Sequence, residues 1–108
     1  MKYCDAEVRM EFNKYTCNDR LAMVLIDEAG YTCTHVTVNL VDEELTNERC
    51  AFIDTNNNGD EIVKWLNANE LGKFTGVIGV SGYCMYPEFE FSKEVLEKIW
   101  QIFKSVLL

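Results

Sequence analysis

Leu21-Ala22-Met23-Val24-Leu25-Ile26, followed by Asp27-Glu28-Ala29-Gly30 and then the stretch Tyr31 to Leu40, is the passage on which the fold turns. The first six residues are apolar on both faces, as an interior strand requires. Asp27 to Gly30 is a tight connection whose glycine is free to take positive φ. Beyond it Val36, Val38 and Leu40 alternate with His35, Thr37 and Asn39. Residues 21–40 therefore read as a β-hairpin.

Working outward, residues 5–12 place Ala6, Val8, Met10 and Phe12 on one face and Asp5, Glu7, Arg9 and Glu11 on the other. This is a half-buried strand, and Asn18-Asp19 supplies turn chemistry before the hairpin. Asp42 to Arg49 reads as an acidic loop or a single helical turn, and Cys50 to Asp54 as a short strand. Asn56 to Gly59 breaks the pattern and opens a helix at about residues 59–71. Asn58 is its expected cap, with Glu61 completing a capping-box-like arrangement. Ile62, Val63, Trp65 and Leu66 form its apolar stripe, and Leu71-Gly72 its stop. Residues 74–91 return to strand character, interrupted by Gly76, Gly79 and Gly82, with Pro87 implying an edge or a bend. Ser92 then caps an amphipathic helix that runs Val95, Leu96, Ile99, Ile102, Phe103, Val106 and Leu107 along one stripe. The expectation is one α+β domain over residues 1–108: a mostly antiparallel sheet of about five strands with two helices packed on one face.

The chain has 108 residues, a length that suits one core, and an apolar fraction of 48% that excludes disorder. Its net charge of −8 is lopsided. Asp27, Glu28, Asp42, Glu43, Glu44, Glu48, Asp54, Asp60 and Glu61 face Arg49 alone in residues 27–61, while the flanking segments balance. Such a surface repels a phosphate backbone and attracts a basic partner, including a protein that itself binds nucleic acid. Its plainer reading is that loop carboxylates keep a small protein soluble. The longest apolar run, Leu21 to Ile26, is far short of the ~18 residues of a membrane span. The N-terminal residues reach acid before any apolar stretch, so no secretory leader is expected. Cys4, Cys17, Cys33, Cys50 and Cys84 are odd in number and lack a C-x-x-C pair. Buried free thiols in a reducing cytoplasm are the expected reading.

No candidate chemistry exceeds its simpler explanation. Asp54-x-Asn56-x-Asn58-Gly59 imitates the opening of a calcium loop, but the closing bidentate position is Trp65. Cys33 and His35 share a strand face without an identifiable orienting group or second metal pair. Gly76, Gly79 and Gly82 have neither dinucleotide nor phosphate-loop spacing. Tyr83, Tyr86, Phe89 and Phe91 read as packing rather than base stacking. Glu88 and Glu90 read as a solvated strand face. No catalytic residue, cofactor or metal ligand is expected, and the protein does not read as an enzyme.

Arg20-Leu21-Ala22, Thr37-Val38-Asn39-Leu40, the Asn/Gly/acid helix start, Ser81-Gly82-Tyr83 and Tyr86-Pro87 together resemble a family of small, acidic, uncharacterised proteins of about this length. That family is encoded mainly by bacterial phages and conjugative elements, and the resemblance covers residues 8–90. It implies a cytoplasmic accessory protein of a mobile element and carries no functional residues. The functional expectation is a non-catalytic interaction protein that engages a basic protein site, in the manner of a nucleic-acid mimic. Asp27, Glu28, Asp42, Glu43, Glu44 and Glu48 are the candidate contacts. The alternative is a structural module that dimerises through the C-terminal helix at Trp100, Phe103 and Leu107.

Overall fold

The computed structural model describes residues 1–97. Eight strands and two short helices follow in the order β1 (Lys2–Tyr3), β2 (Ala6–Lys14), β3 (Leu21–Asp27), β4 (Thr32–His35), β5 (Thr37–Val38), β6 (Cys50–Ile53), α1 (Thr55–Asn58), α2 (Asp60–Ala68), β7 (Gly72–Ser81) and β8 (Cys84–Phe91), and residues 93–97 are again helical. The class is α+β and every strand pairing is antiparallel. The expected single sheet of about five strands is instead two sheets of four, ordered β1-β2-β3-β4 and β5-β6-β8-β7.

The split falls inside the segment read as one continuous strand. Val36 donates its N–H to Met23 O of the first sheet (2.9 Å), and its carbonyl accepts from Asp54 N beside the second (2.9 Å). Its side chain is fully buried, so this one residue stitches both sheets and the core together. Next to it, the buried Thr37 hydroxyl accepts from Met23 N (3.1 Å) and bonds Tyr15 Oη (2.9 Å).

The main core lies where the sheets and α2 meet. Met23 and Leu25 from β3, Ala51 and Ile53 from β6, Phe89 and Phe91 from β8, and Ile62, Trp65 and Leu66 from α2 are all buried in it. Trp65 donates its indole N–H to Lys2 O (2.7 Å) and meets Tyr3 edge-on, which ties the N-terminus to α2. Burying nine residues of this kind supplies the packing that a helix of this length lacks alone.

The helical region departs from expectation at its start. Asp54, not Asn58, caps it, accepting from Asn57 N (3.1 Å). Gly59, at φ 66°, separates α1 from α2. Asn58 instead reaches sideways, with its amide donating to His35 O (2.9 Å) and its carbonyl bonded by the Thr34 hydroxyl. Ser92 caps the segment that follows β8, its hydroxyl accepting from Val95 N (3.2 Å).

On its opposite face the second sheet carries a smaller cluster of Leu40, Phe52 and Tyr86, joined by Val38, Leu45 and Cys84. The connection between β5 and β6 covers that face, and it holds four of the candidate carboxylates.

Candidate functional site

Residues 43–49 of this connection alternate between half-buried and exposed positions although they form no strand. Glu43, Leu45, Asn47 and Arg49 turn inward, while Glu44, Thr46 and Glu48 are exposed, and Asp42 is exposed just ahead of them. Leu45 packs on the Leu40/Phe52/Tyr86 cluster, so an apolar anchor sets which carboxylates face outward.

The loop is braced at both ends. At the first, the Arg20 guanidinium donates to Leu40 O (2.7 Å) and Glu43 O (2.6 Å). This spends a cation on backbone carbonyls and leaves the nearby carboxylates uncompensated. At the second, two β8 carboxylates take hold of the loop from beneath. Glu88 has no exposed surface. It accepts from Thr46 N (2.9 Å), the Thr46 hydroxyl (2.6 Å) and the Thr75 hydroxyl of β7 (2.6 Å). Glu90 accepts from the Asn47 amide (2.6 Å) and pairs with Arg49 (3.6 Å) and Lys73 (3.9 Å).

These partners decide the charge states. Burial pushes the Glu88 carboxyl up, but hydrogen bonds from Thr46 and Thr75 outweigh it and hold the group below its ordinary value. Glu90 is also held low, first by the Asn47 hydrogen bond and then by Arg49 and Lys73. Between them the Cys50 thiol is pushed up to about 11 by burial, and so stays protonated and inert. The reading of Glu88 and Glu90 as a solvated strand face is corrected: they are the floor of the loop. Nothing local marks them, since their partners at Thr46 and Asn47 lie more than forty residues away.

The candidate contacts do not form one patch. Arg20, which holds Glu43, precedes β3, whereas Asp27 ends that strand and Glu28 follows it. Six residue steps at strand rise place the two groups about 20 Å apart along β3. Asp42, Glu43, Glu44 and Glu48 stay together on the braced loop. Among the described residues none of these four forms an ion pair. Asp27 turns its carboxylate to its own hairpin, accepting from Ala29 N (2.9 Å) and Tyr31 N (3.0 Å). Trp100, Phe103 and Leu107 lie outside the described residues.

The remaining candidates separate as well. Cys33 is the unpaired residue of a bulge, since Ile26 faces Thr32 and Leu25 faces Thr34. Both Cys33 and His35 are exposed. The expectation of five buried thiols is corrected: Cys4, Cys17 and Cys33 are exposed, Cys84 is half-buried and Cys50 is buried. The Asp54 carboxylate caps α1 through Asn57. Among the described residues no group of three or more His, Cys, Asp or Glu side chains could hold a metal. No helix there is long and apolar enough to cross a membrane. The cavity beside Tyr15, Arg20, Leu45 and Phe52 has room for about one water molecule.

The geometry defines a two-sheet α+β domain that carries a braced acidic loop over one sheet face. The chain belongs to the family described as Domain of unknown function (DUF4313), whose model matches residues 9–102, from β2 into the segment after Ser92. No curated protein and no solved structure matches it.

Proposed function

We propose that the protein is a non-catalytic interaction protein whose 42–48 loop docks on a basic site of another protein. The observation that carries this reading is the bracing. Arg20 on one side and Glu88 with Glu90 on the other hold the loop in shape, while Asp42, Glu44 and Glu48 stay exposed without a cationic partner among the described residues. A preformed array of carboxylates binds with little ordering cost and steers a cationic surface into register. Spaced along an extended segment, the same groups are suited to occupy a channel built for phosphates. That role fits a cytoplasmic accessory factor of a phage or conjugative element acting on a host nucleic-acid-binding protein. Asp27 and Glu28, at the far end of β3, fall outside this surface.

The test compares wild type with Asp42→Asn/Glu43→Gln/Glu44→Gln in affinity capture from host cytosol at low and high salt. The variant is expected to recover at least about tenfold less of the partner at low salt, with an unchanged circular dichroism spectrum. Wild-type recovery falls steeply as salt rises. Equal recovery by the two proteins, or recovery insensitive to salt, overturns the reading.

A further inference from the structure

The second sheet ends in β7, and no described strand lies beyond it. Long edge strands ordinarily carry charges, a proline or a cover that prevents pairing with another chain. From Phe74 to Pro87 this hairpin has no charged residue at all, in a chain that is 26% charged. Ile78 and Val80 are each 51% exposed, Met85 is 68% exposed, and Tyr83 at the turn is fully exposed.

We propose that β7 pairs antiparallel with β7 of a second copy of this chain, about a two-fold axis through Gly79. The register of the hairpin carries the inference. Gly82, at φ 60°, and Tyr83 form the two-residue turn, which makes Ser81 and Cys84 its hydrogen-bonded pair. Alternation makes Gly79 and Tyr86 the next bonded pair, and leaves Val80 with Met85 and Ile78 with Pro87 as the non-bonded ones. Pro87, which has no N–H, suits such a position. The N–H and C=O groups of Ile78 and Val80 therefore point out of the sheet at the open edge.

The regular part of that edge is bounded by the register shift between Phe74 and Ile78 and by the turn at Gly82. A two-fold axis at Gly79 sets Val80 opposite the second copy's Ile78, so that the outward groups of each meet those of the other. The side chains match too. Met85, Val80 and the second copy's Ile78 and Pro87 line up as one apolar row across four strands, and the symmetry generates a second such row. On the opposite face the Leu40 and Phe52 side chains already lie over Gly79, where a Cβ would come within 2.7 Å of both, so the axis there is lined by apolar groups. The strip from Phe74 to Pro87 itself contributes no carboxylate to a contact between two chains of charge −8.

This inference is independent of the docking loop, and salt separates the two. Screening weakens docking to a basic partner but strengthens association of like-charged copies. Sedimentation equilibrium of the full chain is expected to show a monomer–dimer equilibrium that tightens with added salt. Val80→Lys, at a half-exposed site, raises the dissociation constant by about a hundredfold, and Ile78→Lys does the same. In wild type the Ile78 and Val80 amides gain hydrogen-exchange protection as concentration rises. A chain that stays monomeric at millimolar concentration overturns the proposal. A dimer that survives Val80→Lys unchanged, or forms without protecting those two amides, overturns it equally by placing the contact elsewhere.

Discussion

Glu88 shows how a single buried carboxylate is made stabilising. Its three donors come from two separate elements, Thr46 of the loop and Thr75 of β7, so its burial is offset by bonds to the charged form. Replacing it by Gln keeps the shape but turns an N–H₂ toward groups that can only donate or already do so. Glu88→Gln is expected to lower stability by about 1–3 kcal/mol in urea unfolding at neutral pH. The sign of the pH dependence follows from the direction of the shifts. Glu88 and Glu90 both titrate below the ordinary glutamate value in the folded chain. Their contribution is complete above the unfolded-state value and is lost as pH falls through the folded ones. The urea midpoint of wild type should therefore drop on acidification below that value, while the gap between wild type and Glu88→Gln narrows. A gap that stays constant with pH would mean that Glu88 does not act through its charge.

At the scale of elements, the β5–β6 connection behaves as a loop with the alternation of a strand because it has a floor rather than a neighbour. Arg20 is its first fastening, through two carbonyls. Arg20→Ala is expected to cost about 1–3 kcal/mol and to speed amide exchange across residues 41–49, while leaving the β2–β3 ladder protected. Uniform loss of protection would show that Arg20 supports the whole fold rather than this loop. The same elements show what can be read from one dimension. The apolar run 21–26, the turn at Gly30 and the alternation of residues 5–12 and 88–91 are local signals, and the strands stand where those signals put them. The break at Val36 is not local, since it depends on Met23 and Asp54 offering bonds from opposite sides. The helix cap moved from Asn58 to Asp54 for a related reason: Asn58 has a better use against Thr34 and His35 of β4. The acidic character of 42–48 was legible from composition, but its division from Asp27 and Glu28 required the direction and length of β3.

At the scale of the molecule, the net charge of −8 gathers on surfaces rather than cancelling internally. The cations nearest the loop are committed elsewhere, Arg20 to carbonyls and Arg49 to Glu90 and the Phe91 carbonyl. A β7-paired dimer would carry two such loops, and a partner offering two basic sites would bind it with avidity. The central claim is that fixed loop carboxylates dock a cationic protein surface. Its most direct test is the salt dependence of partner affinity for wild type, Asp42→Asn/Glu43→Gln/Glu44→Gln and Arg20→Ala measured side by side. The predicted result is a steep loss with salt for wild type, a shallow slope and weak binding for the neutralised loop, and weakened binding with an intact salt slope for Arg20→Ala, whose carboxylates remain but are no longer held. Superimposable curves for the three proteins would contradict it.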